Sequence, residues 1–212
     1  MKTNTTRISF VRHGEVDNPL LVNYGRLPDF FLSEEGCRQA QAAADVLEYK
    51  PIAAIFSSPL RRAVETAECI AVRHAGLTVR ALELLNEVYT PFEGRPISEM
   101  DEIGWDVYSG NETPFEKPGD VLARVHQFVS EMLHQYRGHH VVAVTHGDVI
   151  AFMVLWAKGM PVTPKDRLLL YREASLAHAS ITTFIYQTAS KEEVPTSEYM
   201  IPYKKAHGTE GG

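Results

Sequence analysis

The stretch VVAVTHGD, residues Val141 to Asp148, decides how the rest of the chain reads. Four consecutive apolar residues, three of them Val, fit a strand covered on both sides, as a central strand of a parallel sheet is. In open α/β sheets ligands bind beyond the carboxyl ends of the strands, so the residues that follow such a run carry the chemistry. Here they are His146, Gly147 and Asp148. The chain opens the same way: Ile8 to Val11 reads as a strand and runs into Arg12, His13, Gly14 and Glu15.

Outward from these two stretches, short β-rich runs alternate with amphipathic ones. Ile8 to Val11 is followed by a helix after Ser33, then by Ala53 to Phe56, a helix after Pro59, and Leu77 to Leu82. Two further helical patterns precede Val141 to Thr145, and Ile181 to Ile185 reads as a late strand. The segment Asp120 to Tyr136 places Val121, Leu122, Val125, Phe128, Val129, Met132 and Leu133 on one helical face. The alternation predicts an α/β fold: a three-layer αβα sandwich, its central sheet mostly parallel, with helices on both faces. A single domain over residues 1–203 is expected, with no internal repeat. Residues 89–118, rich in Pro, Gly and acidic side chains, read as a cap insertion of loops and short helices over a pocket. Residues 204–212 read as a disordered tail.

A chain of 212 residues, 44% hydrophobic, can bury one substantial core without disulfides or metals. Its 21 basic and 27 acidic residues leave a formal charge of -6, which argues against nucleic acid or anionic lipid as a partner. Any bound anion must be held by a local cluster. Cys37 and Cys69 form no CxxC pair, and a reducing compartment fits them. The start lacks the apolar region of a signal peptide, and the longest apolar run, Val149 to Ala157, is short of the roughly 20 residues a membrane helix needs. A cytoplasmic protein is expected.

The second strand runs into Ser57, Ser58, Pro59, Leu60, Arg61 and Arg62, and the third leads toward Asn86 and Glu87. Ser58 looks like an N-cap and Pro59 a first helical residue, which puts two arginines in the first helical turn. Cations there face the positive end of the helix dipole and are disfavoured by about 0.3 to 1 kcal/mol each unless an anion answers them. Adjacent helical residues point about 100° apart, so one of the two serves a ligand better than the other. Two His and two or three Arg around one point suit a phosphoryl dianion. Neither a GxxxxGK[ST] loop nor a CxxxxxR signature is present, which leaves His as nucleophile. A neutral imidazole serves if one ring nitrogen is tied as a donor, and the Gly14 carbonyl can tie it. A carboxylic acid such as Glu87 would protonate the leaving oxygen and later activate water.

These residues resemble the histidine phosphatase (phosphoglycerate-mutase-like) superfamily, of its branch 1 type. The resemblance rests on Arg12-His13-Gly14, on the S-P-L-x-R-A-x-x-T-A stretch from Ser58 to Ala67, on Glu87 to Gly94, and on Thr145-His146-Gly147. It implies that His13 is phosphorylated, that Arg12, Arg62 and His146 bind the phosphoryl group, and that Glu87 donates the proton. Arg62, the arginine abutting alanine, takes the family's place, which leaves Arg61 at the surface. Asn18 stands one residue before the position where the family often has Asn, so it is a secondary phosphate contact, as is Gly147.

The resemblance implies a metal-independent phosphomonoesterase without cofactor, acting on a small phosphorylated metabolite. A phosphoglycerate-type mutase is the alternative, less favoured because no long insertion follows the RAVETA helix. A metal-dependent hydrolase built on His13-x-Glu15 and His146-x-Asp148, and a phospho-ligand binding protein without turnover, are weaker readings. A homodimer is left open. His74, His126, His134, His139, His140 and His207 are set aside as bystanders, and His178 is set with them, though its place before the late strand brings it toward the pocket.

Overall fold

The computed structural model describes residues 5–173, 176–187 and 193–203. Its strands are β1 (Thr6–Arg12), β2 (Ile52–Ser57), β3 (Val79–Ala81), β4 (His140–Thr145), β5 (Ile181–Tyr186) and β6 (Thr196–Met200). Its helices are α1 (Glu34–Leu47), α2 (Arg61–Ala71), α3 (Ile97–Glu102), α4 (Pro118–Gln135), α5 (Gly147–Ala157) and α6 (Pro164–Arg172). One sheet has the order β3-β2-β4-β1-β5-β6. The four strands β3, β2, β4 and β1 run parallel, whereas at one edge β5 pairs antiparallel with β1 and β6 antiparallel with β5.

β4 lies at the centre, and every one of its six residues is buried. Its side chains alternate between two cores, as the pleat requires. Val141 and Ala143 join Ile8, Phe10, Phe56 and Phe184 under α4 and α5, while Val142 and Val144 join Val11 and Ile55 under α1 and α2. Helices therefore cover both faces, and the three-layer sandwich stands. The first core is organised by edge-to-face rings, with Phe10 5.9 Å from Phe128 and 5.7 Å from Phe184. Full burial of such a ring contributes about 2 to 3 kcal/mol.

The helical face expected of Asp120 to Tyr136 packs as α4; six of its seven apolar residues are buried and Leu122 is partly so. Three local expectations are corrected. The helix after Pro59 begins at Arg61 with Leu60 as its N-cap and no side-chain cap; the Ser58 hydroxyl accepts the Leu60 N–H at 3.3 Å, ahead of the helix, and donates to Asn86. The third strand is three residues long, since only Val79, Arg80 and Ala81 pair with β2. The edge strand β6 was not foreseen: all five of its residues are exposed, so no apolar alternation marks it. Residues 204–212, read as a disordered tail, lie outside the described residues.

The parallel ladders bring three strand exits to one level. Arg12 pairs with Thr145, Ser57 pairs with Val144, and the ladder continues through His13 N–H to Thr145 O at 3.0 Å and Ser58 N–H to Val144 O at 2.9 Å. His13, Ser58 and His146 consequently leave the sheet side by side.

Candidate active site

His13 follows the last residue of β1 and is 1% exposed. Its Nδ1 lies 2.8 Å from the Gly14 carbonyl. A carbonyl only accepts, so Nδ1 carries the proton and Nε2 presents a lone pair. The Arg62 Nε–H donates to that nitrogen at 3.3 Å. Burial, followed by the charges of Arg62 and Arg12, holds the imidazole well below its ordinary range. It is a neutral base.

Arg62, in the first turn of α2, is wholly buried. Its Nη2 donates to the Gly25 carbonyl at 2.8 Å and to His146 Nδ1 at 3.2 Å, and its guanidinium stacks 4.7 Å from the Tyr24 ring centroid. None of these partners is an anion. A buried cation without a counter-charge is costly, and burial accordingly depresses its pKa. A dianionic ligand would relieve that cost. Arg61 points outward to Glu65 at 3.3 Å, so the two arginines separate as the 100° step requires.

His146 is wholly buried between β4 and α5. Since Arg62 can only donate, His146 Nδ1 accepts and Nε2 carries the proton, which reaches Ser58 Oγ at 2.8 Å. The Ser58 hydroxyl donates to Asn86 Oδ1 at 3.0 Å, and the Asn86 amide nitrogen donates to Glu83. This relay fixes the tautomer. The ring stands 5.2 Å from that of His13, and burial with Arg62 and His13 lowers its pKa well below 6.5.

Glu87 Oε2 lies 3.7 Å from His146 Nδ1, and Oε1 accepts the Val88 N–H at 2.9 Å. Burial, then the charge of Asp148, pushes the carboxyl up to about 7, against the pull of Arg62. Arg12 donates to the Leu176 carbonyl and lies over the Tyr171 ring, while its buried Nε has no partner among the described residues. Five side chains from four segments thus meet at one point.

The two secondary contacts stand apart. Asn18 borders the cavity, but its amide is tied to the Val22 backbone through both ends. Gly147 opens α5, where a Cβ would come 2.1 Å from the Tyr171 hydroxyl. The paired carboxylates of the metal reading are engaged elsewhere: Glu15 accepts from Ser33, and Asp148 accepts from Arg167 and Tyr171. Among the described residues, no group of three or more His, Cys, Asp or Glu is placed to hold a metal.

His178, set among the bystanders, is a correction. Its ring centroid lies 5.9 Å from that of His13, it lines the cavity, and burial followed by Arg12 lowers it to about 3. Thr66 was also missed. Its hydroxyl accepts the Gly14 N–H at 3.1 Å and donates to the Arg62 carbonyl at 2.8 Å, locking the loop after β1 to α2. The T of the R-A-x-x-T-A stretch was the available signal.

A neutral imidazole, a second histidine, two cations and a raised carboxyl thus gather at the carboxyl edge of a parallel sheet. The chain belongs to the histidine phosphatase superfamily (branch 1), whose family model matches residues 8–192. It is 37% identical over 188 residues to the uncharacterised protein Rv0525 of Mycobacterium tuberculosis, covering 85% of this chain and 90% of that one. Among solved structures it resembles the mycobacterial glucosyl-3-phosphoglycerate phosphatase Rv2419c, with a TM-score of 0.73 and 27% identity over 93% of this chain and 98% of that chain. It also resembles phosphoserine phosphatase from Entamoeba histolytica, solved with 3-phosphoglyceric acid, with a TM-score of 0.71 and 25% identity over 92% and 96%. No helix among the described residues is long and apolar enough to cross a membrane.

Proposed function

We propose that the protein hydrolyses a phosphomonoester through a phosphohistidine on His13. The observation that carries this reading is the His13 ring: one nitrogen is tied to the Gly14 carbonyl and the other holds its lone pair beside Arg62. Family membership and phosphatase-named structural neighbours support it.

His13 Nε2 attacks phosphorus, the P–O ester bond breaks, and its electron pair leaves with the alcohol oxygen as Glu87 supplies the proton. Arg12 and Arg62 take the equatorial oxygens and offset the developing charge. His146 starts with a bare Nδ1, and a dianion beside that nitrogen favours its protonation, which turns the ring into a phosphate donor. In the second half-reaction Glu87, now a carboxylate, takes a proton from water. The water oxygen attacks phosphorus, and the N–P bond returns its pair to the imidazole. No metal takes part in this scheme.

A mutase would hand the same phosphoryl group to a second alcohol, and the first half-reaction does not separate the two. Steady-state kinetics of Glu87→Gln test the acid role. The variant should slow alkyl phosphates about 10²- to 10⁴-fold and p-nitrophenyl phosphate far less, because p-nitrophenolate needs little protonation. Equal slowing of both would remove Glu87 from the scheme.

A further inference from the structure

The cavity above the nest measures about 460 Å³ and meets it at Arg12, Gly25, Glu87 and His178. That volume falls in the ~300–1,000 Å³ range of sites for drug-sized ligands, well beyond a phosphoryl group on three carbons. Its far wall is apolar: Val22, Val88, Ile97, Trp105, Val107 and Leu168.

Four of the polar side chains on the wall bond within the protein. Asn18 Nδ2 donates to the Val22 carbonyl, Asn23 Nδ2 to that of Phe92, Thr90 Oγ1 to that of Val107, and the Tyr171 hydroxyl to Asp148. The cations are spent as well. Arg167 pairs with Asp148 at 2.5 Å, and Arg26 and Arg124 both pair with Glu116, at 2.9 and 2.7 Å. Among the described residues bordering the nest and the cavity, Arg12 and Arg62 alone have no carboxylate partner. Two positive charges answer one phosphoryl dianion. A second anionic group on the substrate would enter an apolar wall with Glu87 and Asp148 nearby and no counter-charge to meet it.

Resting on the phosphatase reading above, we propose that the site takes phosphomonoesters whose leaving group is uncharged, largely apolar and larger than three carbons. Phosphorylated hydroxy and amino acids are then poor substrates. This sets the chain apart from the proteins named for glucosyl-3-phosphoglycerate and phosphoserine, each of which carries a carboxylate.

The test is kcat/KM of the full chain for 2-phenylethyl phosphate, glycerol 3-phosphate and 3-phosphoglycerate. All three are esters of primary alcohols, so the leaving-group chemistry is nearly held constant. The phenylethyl ester should exceed glycerol 3-phosphate about 30-fold through burial of the ring, and glycerol 3-phosphate should exceed 3-phosphoglycerate about 10-fold through the unmatched carboxylate. Leu168→Lys, which adds a cation to the wall, should narrow or reverse the second ratio. If 3-phosphoglycerate matches or exceeds the phenylethyl ester in the parent protein, this inference is overturned while hydrolysis itself stands. If none of the esters is cleaved, the phosphatase reading falls and the inference falls with it.

Discussion

His13 and Glu87 are tuned in opposite senses by one low-dielectric environment. Burial with two guanidinium groups keeps the imidazole unprotonated, whereas burial with Asp148 keeps the carboxyl protonated up to about 7. The combination sets a pH profile. For an alkyl phosphate, kcat/KM should hold on the acid side of neutrality and fall about tenfold per pH unit above about 7, as Glu87 loses its proton. In Glu87→Gln that alkaline limb should vanish; a limb that persists belongs to another group. Stability follows the same shift. A carboxyl whose folded pKa is raised from 4.5 to about 7 favours the folded state fully below 4.5, and that contribution is lost as pH rises toward 7. Glu87→Gln should therefore be more stable than the parent by about 3 kcal/mol at pH 8 in urea titrations, and the difference should vanish near pH 4.

Among the elements, the join between β1 and α1 is the tightest. A Cβ on Gly14 would stand 2.4 Å from the Gly36 carbonyl oxygen, and one on Gly36 would stand 2.0 Å from the Glu15 carbonyl oxygen. Both obstacles are backbone, so neither can swing aside. Gly36→Ala should cost about 2 to 4 kcal/mol, read as a fall in Tm of roughly 5 to 15 °C, and should lower turnover by moving the loop that holds His13. An unchanged Tm would show that the two segments separate easily. These glycines also mark what was readable and what was not. The Gly14 carbonyl as the tie on His13 follows from chain position, because it is the next residue. The Gly14–Gly36 contact joins segments 22 residues apart and leaves no periodic trace. Strand β4 announces itself through the unbroken apolar run Val141 to Val144, since burial on both faces dictates composition, and β1 through Ile8, Phe10 and Val11 around one Ser. Strand β6 is fully exposed and dictates nothing. Ser58 reads as a cap by its type alone, and nothing in its local sequence announces the tertiary partners Asn86 and His146 that its hydroxyl also bonds.

For the molecule as a whole, a chain of net charge -6 concentrates two unpaired guanidinium groups in one buried nest. Strand exits gave away most of that nest, because an α/β sheet sends its loops to a common edge. The apolar character of the cavity wall was not legible, although Thr90 and Trp105 lie in the 89–118 stretch expected over a pocket, since Asn18, Thr90, Trp105, Leu168 and His178 come from five separate segments that share no spacing. The central claim remains the chemistry at one nitrogen. Brief incubation of the protein with a ³²P-labelled phosphomonoester, quenching in denaturant at alkaline pH and mapping of the labelled peptide test it most directly. The account predicts acid-labile, base-stable label on His13, absent from His13→Ala. Label on a serine or cysteine, or label on His13→Ala equal to that on the parent, would contradict it.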